Sequence, residues 1–294
     1  TRRVSLGEAR ERVALAPGDV RSVTLPVPAG GGEIRLSPGD SFPVDDAAYV
    51  AAPEDAAVDV LLVTNDENRY LTTALSVIDP VELTVVAPPD SVPDPGEDAY
   101  DVVLYSNVDA DAIREAHVAA GRDALAAGGG VGIQADGSMP VDAYGDLLLL
   151  APDGMGTNPS LATPVADDLT RDITFPPPER YVRGDLRSGR ALVSTADGTP
   201  IVATGEQDGG QVLYYGYVES GSSFKYDFEY PIFWKRSVYA LADRQSLPEL
   251  NRETGDRLSF GNETVIDTPR GQVTASSVDT ADAGFYDADG TRYS

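Results

Sequence analysis

From Val58 onward, short and nearly uninterrupted apolar runs recur, each followed by a segment with helical spacing. Residues 58–64, 81–87, 101–105 and 131–134 have strand length and too few polar positions for a half-exposed strand. A strand that is apolar on both faces has to be covered on both faces, which is the requirement of a parallel sheet between helix layers. Between the runs, residues 70–77 form a short amphipathic pattern with Asp66 as its expected cap. The longest helical pattern spans 109–127, with Ala112, Ile113, Ala116, Ala120 and Leu125 on one face, and Gly128, Gly129 and Gly130 stop it. This order predicts an α/β domain built on a parallel sheet with helices on both faces. Ligands of such folds bind at the carboxyl ends of the strands, near the switch in strand order.

On either side of this domain the grammar is different. Residues 12–15, 20–27 and 33–36 read as short strands, broken by Pro17-Gly18-Asp19 and Pro38-Gly39-Asp40. After Pro248 the segments 258–260, 264–266, 272–275 and 284–286 do the same. Neither flank has enough strands to close a sandwich alone, so both are expected outside the α/β core as small β-rich, sandwich-like units. The expected division is a β-rich segment over 1–55, the α/β domain over 56–245 and a second β-rich segment over 246–294. Within the domain, 136–194 reads as irregular surface excursions around Pro176-Pro177-Pro178. Two strands follow at 200–204 and 211–217, then a closing helix at 230–241 with Pro231 in its first turn.

Charge restricts the partners. The chain has 48 acidic and 22 basic residues, a net charge of -26, which excludes a nucleic-acid partner. Its cations are almost all arginine, Lys225 and Lys235 being the two lysines, and the acids are scattered through the whole length. Carboxylate-covered, lysine-poor surfaces suit molar salt, where screening weakens a self-repulsion that dilute buffer leaves intact, so the chain reads as halophilic. With no cysteine there is no disulfide, thiolate metal site or cysteine nucleophile. No apolar run approaches the roughly 18 residues of a membrane span.

At the expected strand ends stand Asn65-Asp66-Glu67, Pro88-Pro89-Asp90, Ser106-Asn107 and Gln134-Ala135-Asp136. Asp66, Asn107, Gln134 and Asp136 are the candidate ligand-binding residues, although Asp, Asn and Ser also cap helices and make turns at such places. No catalytic residue is expected. Ser138 lies on no G-x-S-x-G elbow, and His117, the one histidine, falls mid-helix away from the crevice. Gly128–Gly132 follows a helix and precedes a strand, the reverse of a phosphate cradle. Asp279, Asp282, Asp287 and Asp289 do not have the spacing of a calcium loop, and weak surface cation binding is all they suggest. No metal site or cofactor is expected. Asn262-Glu263-Thr264 is a glycosylation sequon, meaningful only outside the cell. The aromatic stretch 214–234 packs core, but its polar, glycine-containing part 219–229 suits a binding loop, with Phe224, Tyr226 and Phe228 as candidate partner-binding residues.

The run Gly209-Gly210-Gln211-Val212-Leu213-Tyr214-Tyr215-Gly216, with the helix Tyr230-Pro231-Ile232-Phe233-Trp234 after it, resembles the class I glutamine amidotransferase-like, flavodoxin-like domain of archaeal aerotolerance-operon (Bat-type) membrane proteins, which also carry a von Willebrand A domain. Residues 40–49 resemble the segment that enters this domain, and 255–271 with 283–286 the β segment that leaves it. Active amidotransferases place a cysteine at the turn after the strand that 131–133 matches; here that turn is Gln134-Ala135-Asp136. The resemblance therefore implies the scaffold and an extracytoplasmic, membrane-anchored setting, and no catalytic residues. The expected function is a non-catalytic interaction module for protein or cell-envelope partners. The alternative is a hydrolase or carbohydrate-binding enzyme using Asp66, Asp136 or Glu206 at the strand ends.

Overall fold

The computed structural model describes residues 1–53, 57–66, 68–96, 99–245 and 247–294. The expected boundaries at 55/56 and 245/246 and the strand-end residue Glu67 therefore lie wholly or partly outside the described residues. The chain divides into two compact units, one formed by Thr1–Ala56 with Gln245–Ser294 and the other by Ala57–Arg244.

In the first unit β1 (Arg2–Leu6), β2 (Ala9–Val13), β3 (Gly32–Ser37) and β4 (Ala47–Val50) form an antiparallel sheet in the order β2-β1-β3-β4. The expected strand over 20–27 is absent. Pro26 and Pro28 have no N–H to give to a ladder, and Val20 is almost fully exposed.

The second unit is the α/β domain. Its strands are β5 (Val58–Val63), β6 (Val81–Val86), β7 (Val102–Tyr105), β8 (Gly130–Gln134), β9 (Leu150–Thr157), β10 (Arg180–Leu186), β11 (Arg190–Ser194), β12 (Pro200–Gln207) and β13 (Gly210–Tyr215). Its helices are α1 (Arg69–Ser76), α2 (Glu115–Ala126), the single turn α3 (Val141–Tyr144) and α4 (Glu229–Leu241). A seven-stranded sheet runs β11-β12-β13-β8-β7-β5-β6. The five strands from β13 to β6 are parallel, whereas β12 and β11 add antiparallel at one edge, so the sheet is mixed. The strands alternate between two cores: Val60, Leu62, Val102 and Leu104 face one, and Leu61, Val63, Val103 and Tyr105 face the other. Helices α1 and α4 cover the first through Leu71, Leu75, Phe233, Trp234 and Val238. Helix α2 covers the second through Val118, Ala124 and Leu125.

Region 136–194 is more regular than its prolines suggest. It holds α3, the antiparallel pair β9–β10, and β11. The helix expected over 109–127 begins only at Glu115. Before it the Asp109 carboxylate accepts the Asp111 N–H at 3.0 Å, and the Asp109 carbonyl accepts from Ala112 and Ile113, a local turn that competes with the helix. At the other end Gly128 takes the left-handed conformation, φ +88°, that ends the helix.

The short helix α5 (Leu247–Leu250) and strands β14 (Arg257–Thr268), β15 (Gly271–Asp279), β16 (Tyr286–Ala288) and β17 (Thr291–Tyr293) return the chain to the first unit. Their sheet order is β15-β14-β16-β17. The two strands expected at 258–260 and 264–266 are one strand, β14, interrupted by a bulge between Ser259 and Thr264. The N- and C-terminal segments are stitched together inside this unit. The Asn251 side chain accepts from Ala51 N–H at 2.8 Å and donates to Ala51 O at 2.9 Å, and Tyr49 meets Phe285 edge-on at 5.3 Å.

Candidate functional site

Strands β5, β7 and β8 each end in a polar turn, and these turns, with the segment after β13, surround a crevice of about 290 Å³. Asp66, Asn107 and Asp136 line it, together with Asn65, Asp109, Ser138 and Glu219. Three of the four expected ligand residues are thus brought together. Gln134 is the exception: it lies buried beneath the others. Its Oε1 accepts from Ser106 Oγ at 2.7 Å and Asn68 Nδ2 at 3.0 Å, while its Nε2 donates to the Tyr217 carbonyl at 3.3 Å. Asn68 also donates to Ser106 Oγ at 2.8 Å. This closed network ties together the ends of β7 and β8 and the start of α1. Because buried polar groups are costly unless paired, such a network fixes the crevice floor.

Asn68, and not Asp66, caps α1: its Oδ1 accepts the Leu71 N–H at 3.2 Å. Asp66 stays exposed at the rim. Asn68 was the residue missed by sequence reasoning, and its signal was present, an Asn immediately before the first helical residue. Asn65 is structural, donating to the Pro88 carbonyl and accepting from Asp109 N–H at 2.9 Å. Asn107 holds φ +50°, a left-handed conformation Asn tolerates, where the chain leaves β7.

Ser138 makes its bonds to Asp136, through its N–H at 3.2 Å and its Oγ at 3.3 Å, the pattern of a local turn. His117 is in the first turn of α2 and buried, not mid-helix. Its Nδ1 accepts the Arg114 N–H at 2.9 Å, so the proton resides on Nε2, which donates to the Asp90 carbonyl at 2.7 Å. Both ring nitrogens are therefore committed to the backbone. Glu206 does not belong to the crevice. It pairs with Gln211, which pairs with Gly130, so it lies at the amino end of the parallel strands. The antiparallel course of β12 reverses the edge at which its last residues emerge.

The three residues of the expected partner loop separate. Phe224 is 0% exposed and packs against Phe175, Tyr217, Tyr230 and Phe233, which removes it from any binding surface. Tyr226 and Phe228 are 68% and 75% exposed. Tyr226 meets Tyr70 edge-on at 5.2 Å and so borders a groove of about 360 Å³ between α1 and α4, lined by Tyr70, Val77, Tyr230 and Pro231 with Arg69 and Lys225, whereas Phe228 immediately precedes α4. Lys225 is held under the ring pair: its Nζ donates to the Glu219 carboxylate at 2.9 Å and lies 5.0 Å from the Tyr70 ring and 5.3 Å from that of Tyr226. Arg69, bonded to the Tyr70 hydroxyl, holds that phenol below its ordinary range.

In the first unit Asn262 is exposed in the bulge of β14. The C-terminal acids are dispersed among arginines: Asp279 pairs with Arg257, Asp282 with Arg270, and Asp287 with Arg292. Asp289 accepts from Thr264 Oγ1.

A mixed sheet with helices on both faces, an amide-floored crevice and small β-rich flanks defines an α/β domain of the flavodoxin-like class. Residues 59–237, more than half of the chain, match a domain of unknown function, DUF7408, and the chain belongs to that family. Residues 1–49 match DUF7407 and 244–294 match DUF7406, both also domains of unknown function. No curated protein matches the chain. Among solved structures, the chain is similar to Cytoplasmic Protein STM1381 from Salmonella typhimurium LT2, at 13% identity and a TM-score of 0.54, over 63% of this chain and 99% of that one. It is also similar to Cytoplasmic Protein STM3548 from Salmonella typhimurium, at 12% identity and a TM-score of 0.53, over 62% of this chain and 98% of that one. At such identities the likeness concerns the fold alone.

The expected extracytoplasmic location is not upheld: both of these similar structures are named as cytoplasmic proteins. That expectation rested on a resemblance carried by residues 209–216, 230–234, 40–49 and 255–271 with 283–286, which form strand, turn and helix residues such as the β12–β13 turn, β13, the first turns of α4 and β14. Such residues are dictated by packing and carry no information about cellular address. Among the described residues no helix is long and apolar enough to cross a membrane.

Proposed function

We propose that the α/β domain is a non-catalytic module that binds a protein partner through the aromatic surface around Tyr226 and Phe228. The observation that carries this reading is the exposure of these two rings, Tyr226 against the α1–α4 groove and Phe228 immediately before α4, in a chain whose other large aromatics are mostly buried. Tyr226 is pre-positioned by Lys225 and by its edge-on contact with Tyr70 at 5.2 Å, so little side-chain freedom remains to be lost on docking. The groove lining is mostly apolar, Ala74, Val77, Tyr230 and Pro231, with Arg69 exposed at its edge, while Lys225 is already paired with Glu219. A partner segment with apolar side chains and one acidic group for Arg69 complements it.

The crevice supports the non-catalytic part of the reading. Its floor is a saturated amide network, Ser138 is bonded to a carboxylate, and His117 is bound to backbone at both nitrogens. None of these groups has the base–nucleophile geometry that acyl transfer needs.

Photocrosslinking tests this. A photoreactive phenylalanine analogue at 226 or 228 should give one defined protein adduct in extract of the producing cells at molar salt, and the same analogue at 66 should not. Unlabelled wild-type chain should suppress the adduct, and a Tyr226→Ala, Phe228→Ala chain should not. Absence of any competed adduct, together with glycoside or ester hydrolysis abolished by Asp136→Asn, would establish the enzymatic alternative instead.

A further inference from the structure

The few cations of this chain are not spread as its acids are. Residues 1–37 hold six of its 22 basic residues and only four of its 48 acidic ones. Arg2 donates to the Gly39 carbonyl at 2.8 Å and pairs with Asp40, and Arg35 pairs with Glu33 at 2.9 Å. Arg3, Arg10 and Arg12 are exposed, and among the described residues their guanidinium groups have no hydrogen-bond or ion-pair partner.

The β1–β2 hairpin gathers these three on one face. Its register sets Arg3 directly opposite Arg12 and Arg10 opposite Ser5, whereas buried Leu6 and Val13 belong to the other face. Opposed Cβ atoms in such a pair are about 4.5–5.5 Å apart, and alternate residues of one strand about 7 Å. Leu6 and Ala9 close the hairpin as a hydrogen-bonded pair around a two-residue turn, with Gly7 at φ +55°. Alternation then makes Arg3–Arg12 a non-hydrogen-bonded pair, the kind in which side chains approach most closely. Like charges there are destabilising, and among the described residues no acid relieves them. The same alternation turns the backbone N–H and C=O groups of Arg10 and Arg12 away from β1. Strand β2 is outermost in its sheet, and among the described residues these groups have no partner.

We infer that β2 docks an extended acidic segment of a partner protein, added antiparallel to its free edge with a carboxylate at every second residue. Residues opposite Arg10 and Arg12 exchange backbone hydrogen bonds with them and project their side chains onto the arginine face. The two-residue repeat of an extended chain, about 7 Å, equals the spacing of Arg10 and Arg12, so alternate carboxylates meet one guanidinium each. Arg3 lies beside Arg12, within reach of the same carboxylate. Main-chain bonds supply the affinity and the charges supply the choice, which suits molar salt, where the screening length is about 3 Å and only contact pairs survive. Arginines on an open edge disfavour cationic strands and select an acidic one. Charge also decides against a long polyanion. A nucleic acid or an anionic bilayer carries its charge past the three arginines into the field of a chain with net charge -26, and a short segment does not.

Fluorescence anisotropy with the full chain in molar KCl tests this, using a labelled octapeptide of alternating aspartate and valine. It should bind about tenfold or more tightly than a peptide of the same composition with its aspartates in one block. Arg10→Gln and Arg12→Gln should each weaken binding about tenfold. Both should leave circular dichroism unchanged and should not lower the urea midpoint, because each removes a like charge from the cluster. N-methylation of the aspartate amides, which face β2, should abolish binding, and N-methylation of the valine amides should leave it intact. The Arg10→Glu, Arg12→Glu chain should instead prefer the peptide with lysine in place of aspartate. Absence of binding, or equal binding of both peptides, overturns the inference. So does binding indifferent to aspartate N-methylation, tighter binding of oligodeoxythymidylate or phosphatidylglycerol vesicles, or a dimer that Arg10→Gln dissociates.

Discussion

Gln134 and Phe224 are both large side chains at positions a sequence marks as functional, and both turn out to be structural. Gln134 satisfies Ser106, Asn68 and the Tyr217 carbonyl at once. Gln134→Leu would keep most of the volume and strand three buried polar groups, and is expected to cost about 2–4 kcal/mol. Urea unfolding in molar KCl measures it, with Ser138→Ala, an exposed turn residue, expected within about 0.5 kcal/mol of wild type. The tyrosines offer a second readout. Burial pushes the phenols of Tyr105, Tyr144, Tyr214, Tyr215, Tyr217 and Tyr230 upward from their ordinary value near 10. A raised folded value means that the unfolded chain releases these protons first. The stabilisation is thus complete below the ordinary value and declines as pH rises above it. In an ultraviolet titration of the chain's 14 tyrosines, these six should ionise only together with unfolding.

At the scale of elements, the parallel strands and α4 were legible because their burial is local and periodic. Strand β5 alternates Val60 and Leu62 with Leu61 and Val63 into two cores, which a nearly continuous apolar run anticipates. What misled were segments whose partners are distant. The 20–27 stretch alternates like a strand but has no neighbour to pair with, and β9 and β10 meet across an interval filled with Pro176, Pro177 and Pro178. The glycines after α2 were read as a helix stop, which Gly128 is. Gly130 has a different task, and only packing reveals it. A Cβ there would stand 2.5 Å from the Leu241 carbonyl, so the absence of a side chain sets how closely α4 approaches β8. Gly130→Ala is expected to cost about 1–3 kcal/mol by forcing the helix outward, measured as a lowered urea midpoint.

For the whole molecule, self-repulsion of the net charge outweighs the local ion pairs. The arginine–carboxylate pairs, such as Arg257–Asp279 and Arg292–Asp287, are largely exposed and contribute little each. They do not offset a net charge of -26. Circular dichroism from molar to millimolar KCl should therefore show cooperative loss of structure at low salt, where the screening length exceeds about 10 Å. Unchanged folding near 0.1 M, the ionic strength of that length, would remove the halophilic reading. By itself the sequence determined the class of fold, the helix-covered sheet, the β-rich character of both flanks and the edge at which a crevice lies, because each follows from short-range periodicity and composition. Only the tertiary structure decided which polar residues meet. It buried Gln134 beneath Asp66, Asn107 and Asp136, sent Glu206 to the opposite edge, and placed Phe224 in the core while leaving Phe228 outside. Those outcomes depend on strand order, strand direction and the packing of helices distant in the chain, and no window of neighbouring residues contains that information.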